Sequence, residues 1–122
     1  MPVGIPIYEA DDWSLPAPAL FGTSMRTALL MFVAVMEETY PAEISRYLPA
    51  TISSVQRTLD KLEDEGIVST RALAVRTVTL NPLYPAAKEL RALLLRLAEG
   101  YDRYRLAKES RRTRPRRRNK PL

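Results

Sequence analysis

The chain changes its period at Gly66, and few small folds accommodate what stands on either side. Before it, Ile52, Val55, Leu59 and Leu62 recur at steps of three, four and three, which lines one stripe of a helix. Gly66 closes that helix, as glycine does just past a last turn. After it, IVSTR and VRTVTL alternate with period two, are rich in β-branched residues and stand about three residues apart. That pattern reads as a hairpin.

Thr51 is the N-cap candidate of the 52–65 helix. Ahead of it lies a shorter helix. Pro41 suits its first turn, Glu43 favours the positive end of the helix dipole, Ile44 and Leu48 make the inner face, and Pro49 ends it. Farther upstream, Thr23 or Ser24 caps a helix whose Leu29, Phe32, Val33 and Met36 form one apolar face up to about Glu38. Downstream, Asn81-Pro82 breaks the hairpin, and Pro85 opens a last helix carrying Leu90, Leu93, Leu94, Leu97, Tyr101 and Tyr104 on one side. The expected architecture is mainly α with a small β-hairpin. Residues 1–20 form an extended proline-bearing arm, 21–83 the central domain, 84–110 one long helix and 111–122 a basic tail.

Composition narrows the chemistry. The 122 residues contain no Cys and no His, which removes disulfides, thiolate metal sites, imidazole bases and most zinc sites. Glu37-Glu38 and Asp11-Asp12 are adjacent pairs that diverge on regular structure, and no nucleophile has a visible base, so the chain is not expected to be an enzyme. No cofactor or metal is implied. No apolar run is long enough to span a bilayer and the N-terminus has no signal pattern, which makes a cytoplasmic protein the default. Seven of the 19 basic residues (Arg111, Arg112, Arg114, Arg116, Arg117, Arg118 and Lys120) fall in the last twelve positions, leaving 12 basic against 14 acidic groups elsewhere. Such a run reads as a mobile arm for polyanions or as a solubilising terminus.

The segments AEISRYL, TISSVQRTLDKLEDEGIV and RTVTLNPLYPAAKELRALL carry a resemblance over roughly Leu20 to Tyr104. They resemble the winged helix-turn-helix regulators, most closely the arsenic-repressor-like and multiple-antibiotic-resistance-like proteins. The resemblance implies a transcriptional regulator, a repressor more often than not, that binds double-stranded DNA as a homodimer. The helix at about 52–65 would enter the major groove, and the hairpin 67–80 would be the wing. Pro49 stands where the family commonly places Gly, so the turn geometry must differ. The tip Ala72-Leu73-Ala74 also lacks the usual glycines or charges.

On the face opposite the apolar stripe stand Ser53, Ser54, Gln56, Arg57 and Lys61. Gln pairs bidentately with adenine and Arg with guanine, while Ser and Thr serve base or phosphate. With Thr51 at the helix start and Arg71 and Arg76 flanking the hairpin tip, these make the expected DNA surface. Asp60, Glu63, Asp64 and Glu65 would be repelled by phosphate, so the helix's C-terminal half should point away. The alternative is that the polar face is merely solvated.

The resemblance also implies that the terminal stripe of Leu90, Leu93, Leu94, Leu97, Tyr101 and Tyr104 forms a two-fold seam. The alternative there is that the stripe packs back on its own domain. The rival functions are a non-specific architectural DNA-binding protein and a winged-helix module for protein contacts.

Overall fold

A computed structural model describes residues 21–72 and 74–113, without the side chains of the last two. The expected arm at 1–20 and the tail beyond Thr113 lie outside the described residues. Helices α1 (Ser24–Met36), α2 (Pro41–Tyr47) and α3 (Ile52–Asp64) come first. Strands β1 (Val68–Ala72) and β2 (Arg76–Leu80) follow, then α4 (Ala87–Ala98) and α5 (Asp102–Thr113). The described chain is therefore mainly helical with a two-stranded antiparallel hairpin, an arrangement compatible with a winged helix.

Helix α1 is the spine. The Thr23 hydroxyl caps it, accepting from the Arg26 N–H at 3.0 Å. The sequence pattern shows one apolar face, yet every residue from Thr27 to Ala34 is buried. The fold surrounds the helix, with α4, α5 and β2 all packed against it. A helix covered on all sides has little amphipathic contrast to display in sequence.

The α2–α3 corner follows from local chemistry. Pro41 occupies the first turn of α2, where a missing N–H costs nothing. Leu48, preceding Pro49, is extended at φ −115° and ψ 146°, the region a following proline imposes. The Ser45 hydroxyl donates across the turn to the Ala50 carbonyl at 2.8 Å. The turn thus closes without the glycine the resemblance calls for.

Gly66 ends α3 in the left-handed region at φ 80°. Its N–H reaches the Glu63 carbonyl at 2.9 Å, and the Ile67 N–H reaches Leu62 at 3.0 Å, the paired bonds of a Schellman cap. Asn81 then ties the far end of the hairpin to this cap. Its N–H bonds to the Ile67 carbonyl and its amide to the Gly66 carbonyl, each at 2.9 Å. In the hairpin Val68 pairs with Leu80, Thr70 with Val78 and Ala72 with Arg76. Thr39 adds a one-residue third strand, exchanging hydrogen bonds with Val78 at 3.0 and 2.8 Å.

The single helix expected over 84–110 is two helices. Glu99-Gly100 breaks it, and α5 turns so that Tyr101 and Tyr104 pack inward. Glycine in a helix interior is about 1 kcal/mol worse than alanine, which makes Gly100 the cheapest place to bend. The Tyr104 hydroxyl donates to the Ala28 carbonyl at 3.3 Å, and its ring lies 6.4 Å from that of Phe32. The stripe expected to form a two-fold seam is engaged largely within the chain itself. Leu94, Tyr101 and Tyr104 are buried in the chain's own core, and Leu90 and Leu97 pack against it half-buried. Leu93 alone of the six is exposed.

Arg111 is likewise part of the fold rather than of a loose tail. From α5 it donates to the Met36 carbonyl at 3.1 Å and the Glu38 carbonyl at 2.8 Å, and it pairs with the buried Glu43 carboxylate. Lys108 donates to the Val35 carbonyl at 2.8 Å. The last turn of α1 has no basic residue of its own, and α5 supplies the cations that its carbonyl end favours.

Candidate nucleic-acid interface

Helix α3 is amphipathic in the expected sense, with one exception. Val55, Leu59 and Leu62 are fully buried, but Ile52, expected on the same stripe, is 46% exposed. It stands in the first turn, before the helix passes under its neighbours. Thr51 caps the helix through its hydroxyl, which accepts from the Ser54 N–H at 3.1 Å. Ser53, Gln56, Arg57 and Lys61 are exposed as expected. Ser54 is not. It is half-buried on the edge of a cleft of about 580 Å³ shared with Ser24, Met25 and Pro49, so it does not stand on the outer face.

The acids of α3 have a structural job that periodicity did not reveal. Arg76 reaches Asp60 at 3.0 Å and Glu63 at 3.3 Å, while the Thr70 hydroxyl donates to Glu63 at 2.9 Å. Arg26 of α1 pairs with Glu65 at 2.6 Å. These contacts clamp the hairpin and the start of α1 onto α3.

Arg76 is thereby corrected as a DNA-contact candidate, because its guanidinium is turned inward and engaged. The register explains it. Arg76 shares a hairpin face with the buried Val78, whereas Arg71 pairs with Thr77 on the opposite face beside Ser69 and Thr79. There Arg71 borders a polar hollow of about 290 Å³ that Glu38 also lines.

The decisive contrast is between engaged and free cations. Arg26, Arg76, Arg91, Arg96, Arg105, Lys108 and Arg111 are all paired with carboxylates. Arg105, hydrogen-bonded to Asp102 and near Glu109, is pushed above its ordinary value. Among the described residues, no hydrogen bond or ion pair ties the side chains of Arg57, Lys61, Arg71, Arg46 or Lys88. Arg46 was missed in the sequence. It is exposed on the last turn of α2, and its place opposite Ile44 was the available signal.

No group of three or more His, Cys, Asp or Glu among the described residues could hold a metal ion. No helix among them is long and apolar enough to cross a membrane. Comparison with protein-family models, curated proteins and solved structures gives no match.

Proposed function

We propose that this chain is a sequence-specific DNA-binding transcriptional regulator of the winged-helix kind, with α3 in the major groove and the hairpin against the adjacent backbone. The observation that carries the reading is that Arg57 and Lys61, on the exposed face of α3, make no ion pair with any described residue, whereas six of the ten arginines whose side chains are described are held by carboxylates. An exposed cation on a rigid helix that its neighbours do not draw into an ion pair is disposed toward phosphate and base edges. Arg71 on the hairpin's outer face serves the backbone, and Ser53 and Gln56 supply polar groups beside Arg57. A homodimer on a pseudo-palindromic site fits this mode of reading, with a seam other than the buried stripe of α4 and α5.

Selection from a random duplex pool, followed by competition against non-cognate DNA, tests the reading. The expected outcome is an enriched motif bound at least about a thousandfold more tightly than random sequence. A ratio near one removes the regulator and leaves the architectural protein. Deleting residues 112–122 should weaken binding to all sequences and flatten its salt dependence, while keeping their ranking.

A second reading, a module for protein contacts, draws on the exposed Ile52 and Val75, which phosphate binding does not require. Loss of both DNA affinity and salt dependence in the full chain would favour it.

A further inference from the structure

Ile52 is the member of the α3 apolar pattern that the fold leaves in solvent, and its surroundings say what it suits. Its exposed neighbours along α3, Thr51, Ser53 and Gln56, are polar, so on this helix Ile52 is a single exposed apolar side chain. That is too small for the desolvated centre of a protein interface, which clusters several large side chains. It is the right size for a single methyl group.

Resting on the DNA-binding reading above, we propose that Ile52 and Gln56 act as one unit that selects A·T pairs in the major groove. Ile52 packs on the C5-methyl of a thymine, and the Gln56 amide pairs with the N6 and N7 edge of an adenine. Residues four apart share a helix face, so both side chains enter the groove together. They are separated by about 6 Å along the helix axis, which matches targets within two base-pair steps. Gln56 is exposed, and no hydrogen bond ties its side chain elsewhere among the described residues. Its amide therefore has both a donor and an acceptor to offer. The thymine methyl is displayed only in the major groove, and its apolar contact is one that serine or arginine could not supply. Arg57 adds charge on the adjoining face without occupying that spot. Asp60, one turn beyond Gln56, and Glu63, two turns beyond, share the single Arg76 guanidinium, so they oppose the approach less than their two formal charges imply.

The test uses the full chain and the motif recovered from a random duplex pool, resynthesised with single thymines replaced by uracil and single adenines by 7-deazaadenine. One thymine position should weaken about threefold to fourfold on losing its methyl, the scale of one buried carbon. Ile52→Ser should bind thymine and uracil duplexes equally. An adenine within two steps should be sensitive to loss of N7 in the wild type and insensitive in Gln56→Ala. Both side chains are exposed, so helix content by circular dichroism should be unchanged in the variants. A motif with no uracil-sensitive position, or a sensitivity that survives in Ile52→Ser, overturns the inference and leaves the regulator standing. A pool that yields no motif overturns the regulator and the inference with it.

Discussion

Where α5 meets the end of α1, Arg111 and Lys108 are drawn into the chain, each bonded to carbonyls of the α1 terminus, and Arg111 also to the buried Glu43. On the outer face of α3, Arg57 and Lys61 stand one turn apart with no carboxylate engaged. The residue types are the same and the roles are opposed. What separates them is engagement: Glu43 and three carbonyls are bonded at the first place, while at the second Asp60, Asp64 and Glu65 lie on the same helix and its C-cap without closing an ion pair on Arg57 or Lys61. A basic residue is evidence for a polyanion partner only after its intramolecular acceptors have been counted.

The comparison breaks most decisively at the core beneath the first region. Leu94→Ala should cost about 2–5 kcal/mol, since the side chain is fully buried against α1, whereas Leu93→Ala should stay within about 0.5 kcal/mol. Urea titration of both variants measures the difference. Equal small effects would mean that α4 does not pack as described.

Next in size is Arg111→Ala. It leaves Glu43 buried with only the Thr39 hydroxyl, which donates at 2.7 Å, and should lose about 2–3 kcal/mol in the same titration. The figure is set below that of a fully buried pair because the Arg111 side chain is 39% exposed. A loss under about 0.5 kcal/mol would show that water replaces the guanidinium freely and that the two regions differ less than their geometry implies.

Arg57→Ala should do the reverse. Stability should hold within about 0.5 kcal/mol, while binding to the enriched site weakens by about 1–3 kcal/mol and binding to random DNA much less. Equal weakening on both DNAs would make Arg57 a phosphate contact.

The smallest effect sharpens the contrast within the hairpin. Arg76→Ala should remove about 0.5–1 kcal/mol of stability, as exposed ion pairs do, with little change in salt dependence. Arg71→Ala should lower the salt slope of DNA binding by about one, measured by titration across ionic strengths. Exchange of those two outcomes would invert the assigned faces.

Much of the fold was legible because its signals are local. The α2–α3 pair rests on Pro41, Ile44, Leu48 and the stripe from Val55 to Leu62, and the hairpin on Gly66 and its alternating residues. The opposite faces of Arg71 and Arg76 were missed, although the strand period carried the signal. Arg76 is two residues from Val78, so a buried valine implies an inward arginine. The break at Gly100 was masked, because the apolar spacing from Leu90 through Tyr104 continues across it. Arg111 could not be read locally, since its acceptors lie 68 to 75 residues away. Of the candidate interface, Thr51, Ser53, Gln56, Arg57, Lys61 and Arg71 are exposed as expected. Ser54 and Arg76 are not, because one faces a cleft and the other is held by Asp60 and Glu63, and Ile52, expected on the buried stripe, precedes the buried turns.

The distance between Glu43 and Arg111 also orders events during synthesis. The chain grows from its N-terminus, so α2, α3 and the hairpin are made before α5 exists. Until Arg111 and Tyr104 follow, Glu43 has no cation and the Ala28 side of α1 lies open to water. The nascent α3 therefore emerges from the ribosome ahead of the clamp that fixes its scaffold. A ribosome pausing within residues 98–110 would hold the chain with α3 already synthesised and its core unsealed.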